Sequence, residues 1–367
     1  MTTKKTAPDL LLVIITLLLL TIGLIMVYSA SAVWADYKFD DSFFFAKRQL
    51  LFAGIGVIAM FFIMNVDYWT WRTWSKLLLI ICFFLLVLVL IPGVGMVRNG
   101  SRSWIGVGAF SIQPSEFMKL AMIAFLAKFL SEKQKNITSF RRGFVPALGI
   151  VFSAFIIIMC QPDLGTGTVM VGTCIVMIFV SGARIAHFAF LGLIGLSGFA
   201  ALVLSAPYRI KRITSYLNPW EEPAWKRISD HSVALCRRLQ GGLFGMGLGQ
   251  SRQKFFYLPE PQTDFIFAIL SEELGFIGGS LILLLFSILL WRGVRIALGA
   301  PDLYGSFVAI GIISMIAIQV MINIGVVTGL IPVTGITLPF LSYGGSSLTL
   351  MLAAVGVLLN VSRYSRY

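Results

Sequence analysis

The stretch LLLVIITLLLLTIGLIMVY, residues 10–28, decides the fold class. It carries no charged residue and is long enough to cross about 30 Å of hydrocarbon as an α-helix. Because the apolar runs are continuous rather than alternating, strands are excluded as the spanning element. The sequence therefore predicts an all-α, polytopic integral membrane protein of about ten transmembrane helices. Its apolar runs lie near residues 10–34, 50–65, 77–91, 117–130, 144–160, 166–181, 188–205, 265–290, 304–330 and 348–361.

The overall composition agrees with this class. Of 367 residues, 58% are hydrophobic and only 12% are charged, and the mean hydropathy is +0.90. A water-soluble chain of this length needs many more charges to cover its surface. The first run follows Lys4 and Lys5, but its length and the absence of a small-residue cleavage site indicate a retained helix rather than a removed signal peptide.

Several other classes of function are disfavoured. The four cysteines are too dispersed for a disulfide framework or a zinc site, and two histidines are too few for a histidine-based metal cage. The net charge of +13 is spread over membrane edges, where basic residues set topology. We therefore expect no nucleic-acid partner.

Basic residues in the short loops predict the orientation of the chain. With a cytoplasmic N-terminus, the short outer loops hold only Lys38, Lys47, Arg48, Arg98 and Arg102. The cytoplasmic segments hold many more, so both termini are expected inside. These are Lys4, Lys5, Arg72, Lys76, Lys128, Lys133, Lys135, Arg141, Arg142, Arg184, Arg292, Arg295, Arg363 and Arg366. We expect a single transmembrane domain, residues 1–367, with one long extracytoplasmic loop near residues 206–263.

The first unusual outer segment runs from Asn99 to Lys119 and includes the motif QPSEFMK at residues 113–119. Trp104 is typical of an aromatic anchor at the membrane interface. Glu116 and Lys119, spaced i,i+3, can pair on one helix face at the outer membrane edge. Anchoring and substrate binding both remain open for this segment.

The second segment, QPDLGTG at residues 161–167, is a short turn between two apolar runs. Pro162 and the glycines are typical of a tight connector. Asp163, near the hydrocarbon boundary, alternatively binds a cation or a sugar hydroxyl.

The third segment, residues 257–275, carries acidic residues where a polar loop becomes an apolar helix. Asp264 at this boundary is either an ordinary N-terminal acid of the helix or an ionised, oriented general base. Glu272 and Glu273 lie about 12 Å deeper along a straight helix. Buried carboxylates are costly in a membrane, so we expect each to face the bundle interior with a basic or hydrogen-bonding partner.

Basic residues bracket these acids on the same predicted side. Solvated loops and lipid headgroups explain such residues, but beside a candidate base they also suit an anionic, phosphate-bearing lipid substrate. The basic residues are Arg98, Arg102, Arg209, Lys211, Arg212, Arg252 and Lys254.

The last outer stretch, residues 329–347, is uncharged and rich in glycine and proline. Its irregular backbone is expected to line a cavity, with Pro339, Ser342 and Gly344 in structural roles.

Six motifs in order resemble the SEDS family of shape, elongation, division and sporulation proteins. The resemblance runs from about Pro8 to Arg363. The motifs are YSAS at 28–31, GSRSWIG at 100–106, QPSE at 113–116, QPDLG at 161–165, LPEPQTDFIF at 258–267 and PFLSYGGS at 339–346. The resemblance implies a ten-helix fold and a peptidoglycan glycosyltransferase that polymerises lipid II. It also implies a class B penicillin-binding transpeptidase as partner, and roles in cell wall synthesis, cell shape and cell division.

The resemblance also implies roles for individual residues. The family's polymerisation aspartate falls on Asp264, its outer-loop tryptophan on Trp104, and its paired acid and base on Glu116 and Lys119. In the sporulation branch the product is spore cortex, made at the outer forespore membrane or septum.

The implied chemistry fits the reading of the residues themselves. Asp264 would deprotonate the 4-hydroxyl of an acceptor sugar, which attacks the donor's anomeric carbon opposite the lipid pyrophosphate. The charged leaving group needs no general acid, unlike the leaving group in glycoside hydrolases. Arginines, lysines or a divalent cation, Mg or Mn, would stabilise the departing pyrophosphate. The substrate-binding candidates are Arg102, Trp104, Glu116, Lys119, Arg209, Arg212, Arg252 and Lys254.

One window departs from the family pattern. Where the family carries a run of glycines and glutamines, residues 223–240 read PAWKRISDHSVALCRRLQ. Intact motifs on both sides favour two compensating reading-frame shifts, and true divergence is the alternative. If this sequence is the expressed protein, we expect it to keep its membrane fold largely intact and to have weakened or absent polymerase activity.

Two other functions compete with polymerisation. A lipid II flippase would use the same buried acids and cationic cavity, but would tolerate Asp264→Asn better than an enzyme that needs a base. A non-catalytic scaffold that recruits the transpeptidase would tolerate any change at Asp264.

Overall fold

The protein is a bundle of long α-helices, seen in a computed structural model that describes residues 5–98, 101–107, 110–204, 242–251 and 261–365. Ten helices of at least 16 residues lie in these ranges. This architecture confirms the predicted fold class. The helices are α1 (Leu10–Phe39), α2 (Phe44–Asn65), α3 (Tyr68–Leu90), α4 (Pro114–Glu132), α5 (Val145–Cys160), α6 (Leu164–Val180), α7 (Ile185–Leu204), α8 (Ile266–Gly299), α9 (Leu303–Val327) and α10 (Gly345–Ser362).

Within the described ranges, seven helices are long and apolar enough to cross a membrane by length and composition. α1 is the most apolar of them, with a mean hydropathy of 3.2 over its best window. α9 and α10 form the centre of the bundle, because 61% and 72% of their apolar windows are buried inside the protein. α10 packs closely against α2, since a Cβ added at Gly356 would lie 2.6 Å from the carbonyl oxygen of Met60.

The two ends of the described chain meet at one face of the bundle. The amide of Thr6 donates to the carbonyl of Arg363 at 2.8 Å, and Arg292 near the end of α8 binds Asp9 at 2.6 Å. We call this the terminal face and the other end of the bundle the far face. α8 runs 34 residues, so its beginning lies at the far face.

A cluster of paired polar groups closes the terminal face. Lys5 binds Asp67 at 2.7 Å, and the hydroxyl of Tyr364 donates to the same carboxylate at 2.6 Å. The Lys5 ammonium and the Tyr364 hydroxyl lower the pKa of Asp67, which lies between α2 and α3. We name these paired groups the terminal cluster, which comprises Lys5, Asp9, Asp67, Arg292, Asp302 and Tyr364.

A small antiparallel sheet stands between α3 and α4. It consists of β1 (Met96–Arg98), β2 (Ser101–Val107) and β3 (Phe110–Ile112). The sequence predicts no strand here, because apolar runs reveal spanning helices and say little about short loops. The first four residues of β2, SRSW, nevertheless alternate small polar and larger side chains, as a two-residue period requires, and Trp104 pairs with Met96 across the sheet.

α8 is broken at Gly275, where φ is 68° and ψ is −166°. Residues 242–247 run beside the break and hydrogen-bond its main chain, as when the amide of Phe276 donates to the carbonyl of Gly242 at 2.9 Å. A Cβ at Gly275 would lie 2.3 Å from the amide nitrogen of Gly245, so glycine is required. Broken helices are tolerated at membrane depth when neighbouring groups satisfy the freed backbone, and residues 242–247 do so here.

Candidate functional site

Asp264 lies in a turn, residues 261–265, directly before α8 at the far face. Its side chain is half-buried. The residue at the N-cap of α8 is Phe265, which makes no side-chain capping bond. Asp264 therefore lies one residue before the N-cap position of α8. Gly335 lies beside the carboxylate, since a Cβ added there would be 4.0 Å from Asp264 Oδ2.

Three successive main-chain carbonyls leading to Asp264 are held by groups from elsewhere in the chain. The carbonyl of Gln262 accepts from the amide of Tyr343 at 2.9 Å. The next carbonyl, of Thr263, accepts from the hydroxyl of Ser342 at 2.6 Å. That of Asp264 accepts from Nδ2 of Asn323 at 3.0 Å. We call these three hydrogen bonds the carbonyl clamp.

The donors of the carbonyl clamp are themselves fixed. Ser342 Oγ accepts from the amide of Leu338 at 2.8 Å. In α2, Gln49 Nε2 donates to the carbonyl of Ser342 at 3.0 Å, and its Oε1 accepts from the amide of Gly344 at 3.2 Å. Asn323 also donates to the carbonyl of Ile336 at 2.8 Å. Sequence reasoning missed Gln49 and Asn323, although isolated amides in apolar helices were the available signal.

The irregular segment that follows α9 is mostly buried in protein at its far end. Pro339, Ser342 and Gly344, predicted as structural residues, lie there, and the first two are buried. A small cavity of about 10 Å³ lies at this segment, and Pro339, Ser342 and Gly344 are among the residues that line it. These residues hold the loop that reaches Asp264.

Glu116 and Lys119 form a buried ion pair in the first turns of α4. The distance between Lys119 Nζ and Glu116 Oε1 is 2.9 Å, and their side chains are 3% and 9% exposed, respectively. The predicted i,i+3 pairing is thus present. A buried ion pair of this kind orients both groups and is costly to break.

Asp163 acts as the N-cap of α6. Its carboxylate accepts from the amide of Thr166 at 3.2 Å, from Gln113 Nε2 at 2.8 Å and from Ser115 Oγ at 3.1 Å. Of its two predicted roles, the structural one accounts for these contacts, because three donors converge on one carboxylate.

Arg102 and Trp104 lie on β2 and are half-buried. The strand is fixed to the turn before α6, since Ser101 Oγ donates to the carbonyl of Gln161 at 2.6 Å. The side chain of Gln161 is buried and donates to the carbonyl of Leu86 at 2.8 Å. The two candidate binding residues are therefore carried by a sheet anchored to the bundle.

Glu272 and Glu273 are buried in α8, two turns beyond Asp264, and have the hydrogen-bonding partners expected for them. Ser29 Oγ in α1 donates to both carboxylate oxygens of Glu273, at 2.7 and 2.8 Å. Ser251 Oγ donates to Glu272, and the amide of Ser251 donates to Glu273 at 3.4 Å. These carboxylates hold α1 and Ser251 against the part of α8 that precedes its break.

The predicted residues form two neighbouring groups at the far face. One surrounds Asp264, and the other joins β2, the turn before α6 and the start of α4. The groups meet where α6 begins, because a Cβ at Gly165 would lie 2.7 Å from the carbonyl oxygen of Thr334. The side chain of Arg98, the residues Arg209, Lys211, Arg212, Arg252 and Lys254, and the window 223–240 lie outside what the structure describes.

The far face thus combines a half-buried carboxylate on a hydrogen-bonded main chain with a buried acid–base pair and a sheet anchored to the bundle. A carboxylate held in this way can accept a proton from a hydroxyl group. These features define a polytopic helical membrane protein with a polar site at one face. Comparison with known proteins then identifies its family.

The family model for FtsW, RodA and SpoVE, described as "Cell cycle protein", matches residues 9–367. The chain belongs to this family, which confirms the SEDS resemblance. It is 92% identical over 100% of both chains to "Stage V sporulation protein E" of Bacillus subtilis (strain 168). It is 44% identical to "Probable peptidoglycan glycosyltransferase FtsW" of Geobacter sp. (strain M18), over 98% of this chain and 97% of the relative.

Solved structures show the same fold. A chain from "Structural coordination of polymerization and crosslinking by a peptidoglycan synthase complex" has a TM-score of 0.79 and 30% identity, covering 97% of this chain and 98% of that chain. The rod shape determining protein RodA of Thermus thermophilus has a TM-score of 0.71 and 29% identity, covering 97% of each chain.

Proposed function

We propose that the protein is a peptidoglycan glycosyltransferase that polymerises lipid II into glycan strands at the outer face of the cell membrane. The observation that carries the proposal is the half-buried Asp264 carboxylate on a main chain held by the carbonyl clamp. Asp264 accepts the proton of the acceptor sugar's 4-hydroxyl, and the oxygen attacks the donor's anomeric carbon. The pyrophosphate leaves with its charge, so no second carboxylate is needed as acid.

The relatives support the reaction class. Two relatives, 44% and 43% identical to this chain, are named as probable peptidoglycan glycosyltransferases. The alignments with them include 98% and 96% of this chain, respectively. The similarity to stage V sporulation protein E supports spore cortex as the product, and the outer forespore membrane or septum as the place of synthesis.

An apolar cavity supports a lipid-linked substrate. It has a volume of about 550 Å³ and lies among α2, α3, α4, α9 and α10. It extends from Tyr304 near the terminal face to Ser111 and Ser346 at the far face. A cavity lined by apolar side chains at membrane depth suits a hydrocarbon chain whose headgroup reaches the far face.

A class B penicillin-binding transpeptidase is the proposed partner, because the solved structure at TM-score 0.79 concerns a complex that coordinates polymerisation with crosslinking. The sequence offers a divalent cation, Mg or Mn, as one alternative to arginines and lysines for stabilising the departing pyrophosphate. Among the described residues no three His, Cys, Asp or Glu side chains come together. This donor set does not fit a resident metal cage, and no step of the mechanism is assigned to a cation.

The test is lipid II polymerisation by the purified protein with its transpeptidase, whose active-site serine is replaced so that crosslinking does not obscure strand length. Asp264→Ala is compared with the unchanged chain, and both are repeated with the family pattern restored at residues 223–240. We expect glycan strands from the chain with the restored pattern, slower synthesis from the unchanged chain, and a further fall of about 10²–10⁴-fold when Asp264→Ala is made in the restored chain.

The same proteins, reconstituted in vesicles, are tested for translocation of fluorescent lipid II. Polymerisation that survives Asp264→Ala would contradict the proposal. Translocation without polymerisation would identify a flippase, and absence of both activities from the chain with the restored pattern would leave the scaffold function.

A further inference from the structure

We propose that Asn323 and Gln49 are positioning residues for Asp264, which they hold through its main chain from two different helices. The inference rests on the proposed function, since it assigns to Asp264 the role of base. Neither residue belongs to a motif identified in the sequence, and both lie in apolar helices, Asn323 in α9 and Gln49 in α2.

Asn323 is the direct support. Its side chain is buried, with the residue 1% exposed, and its Nδ2 donates to the carbonyls of Asp264 at 3.0 Å and Ile336 at 2.8 Å. One amide group therefore ties the turn before α8 to the segment that contains Gly335, which lies beside the Asp264 carboxylate. Loss of this amide leaves the buried carbonyl of Ile336 and the part-buried carbonyl of Asp264 without that donor, which is unfavourable where water is scarce.

Gln49 is the indirect support. It is 0% exposed, and its amide bonds to the carbonyl of Ser342 and the amide of Gly344, as a neighbouring β-strand would. The loop held in this way supplies the Ser342 hydroxyl and the Tyr343 amide to the carbonyl clamp. Two of the three clamp bonds thus depend on a loop that α2 fixes in place.

These main-chain hydrogen bonds matter because the N-cap residue of α8 does not itself fix the start of the helix with its side chain. The N-cap residue, Phe265, makes no side-chain capping bond, and the carbonyl clamp anchors the turn directly before it. A general base acts only when its oxygen lies at hydrogen-bond distance from the attacking hydroxyl. Misplacement by about 1 Å costs about 10²-fold in rate.

The test measures kcat and KM for lipid II polymerisation with the full chain and its transpeptidase. The variants are Asn323→Leu and Gln49→Met, which keep approximate size and remove the donors. Gln319→Met is the matched control, because Gln319 is a buried amide one turn before Asn323 and its Oε1 has no hydrogen-bond partner among the described residues. We expect kcat to fall about 10- to 100-fold in the two variants, with KM within about twofold.

The control is expected to keep its kcat. If Asn323→Leu fails to fold in detergent, Asn323→Ala carries the same expectation, because the smaller side chain removes the amide donor without adding bulk or charge. Full kcat in the folded Asn323 and Gln49 variants would overturn the inference, as would an equal loss in Gln319→Met.

A double variant separates positioning from an independent role. If Asn323 acts through Asp264, Asn323→Leu combined with Asp264→Ala has the residual rate of Asp264→Ala alone. A further 10-fold loss in the double variant would overturn the inference. Retained activity in Asp264→Ala itself would instead refute the proposed function, so the two failures are distinguishable.

Discussion

Asp264 and Asp302 each stand just before a long helix, at opposite faces of the bundle, and the protein uses them differently. Asp302 caps α9 by accepting from the amide of Gly305 at 3.2 Å, and it also accepts from the hydroxyl of Tyr68 at 2.6 Å. The N-cap position of α8 is Phe265 rather than Asp264, and the main chain of Asp264 is held by the carbonyl clamp. At the terminal face carboxylates close the structure, whereas at the far face other groups carry the structural task around Asp264.

The difference indicates how a membrane protein can place an acid where chemistry needs it. The acids of the terminal cluster have basic or hydroxyl partners, as with Asp9 and Arg292. The turn around Asp264 is held instead by neutral donors bonded to carbonyls. Neutral donors fix the backbone without adding a formal charge that would alter the protonation of the carboxylate. The following changes, in order of decreasing effect, test this contrast.

The largest effect is expected from Lys119→Met. It leaves the buried Glu116 without its cation, and breaking a buried pair from one side costs about 3–5 kcal/mol. The free energy of unfolding, measured by denaturant titration in detergent micelles, reports the loss. The double variant Glu116→Gln with Lys119→Met should recover much of it, and a single variant as stable as the unchanged chain would contradict the account.

At the terminal face, Asp9→Asn tests whether a paired acid there is purely structural. The variant weakens the bonds from Arg292 at 2.6 and 2.9 Å and should lower the free energy of unfolding by about 1.5–3 kcal/mol. Polymerisation by the folded fraction should stay within about twofold. A selective fall in kcat would remove the distinction between the two faces.

The window 223–240 gives a third test. Restoring the family's glycine and glutamine pattern should raise the polymerisation rate at least about tenfold, which equals about 1.4 kcal/mol of barrier. The change should leave the melting temperature nearly unaltered. Equal rates in the two chains would favour true divergence, and resequencing of the gene decides the reading-frame question independently.

The smallest expected effect concerns the acid dependence of stability. The pKa of Asp67 is lowered in the folded protein by Lys5 and Tyr364. Its contribution is therefore present above about pH 4, the unfolded value for an aspartate, and is lost as the pH falls through the folded value. Because the pair is largely exposed, we expect less than about 1 kcal/mol. Thermal unfolding of Asp67→Asn should show a smaller decline between pH 5 and about pH 3 than the unchanged chain.

The sequence predicts the helices and some of the site residues, but it does not predict the contacts that hold the site together. The helices follow from uninterrupted apolar runs, because membrane spanning is a property of single segments. The pairing of Glu116 with Lys119 follows in the same way from i,i+3 spacing. Asp264 stands out because it marks the boundary between loop and helix.

The carbonyl clamp does not follow from the sequence. The loop that supplies two of its donors is fixed by Gln49, almost 300 residues away. The main-chain carbonyls that accept these bonds are present in every residue type, so the sequence does not mark them. The break at Gly275 is hidden for a related reason, since the hydrogen bonds that permit it come from residues 242–247. Contacts between distant segments are set by packing, which single-segment patterns do not encode.

The most direct test of the central claim compares Asp264→Asn with Asp302→Asn in lipid II polymerisation. Both changes remove one negative charge from a half-buried aspartate that precedes a helix, and each protein is measured with the serine-inactivated transpeptidase. The account predicts that Asp264→Asn lowers kcat by about 10²–10⁴-fold, whereas Asp302→Asn loses stability and keeps kcat within about twofold. A normal polymerisation rate in folded Asp264→Asn would contradict it.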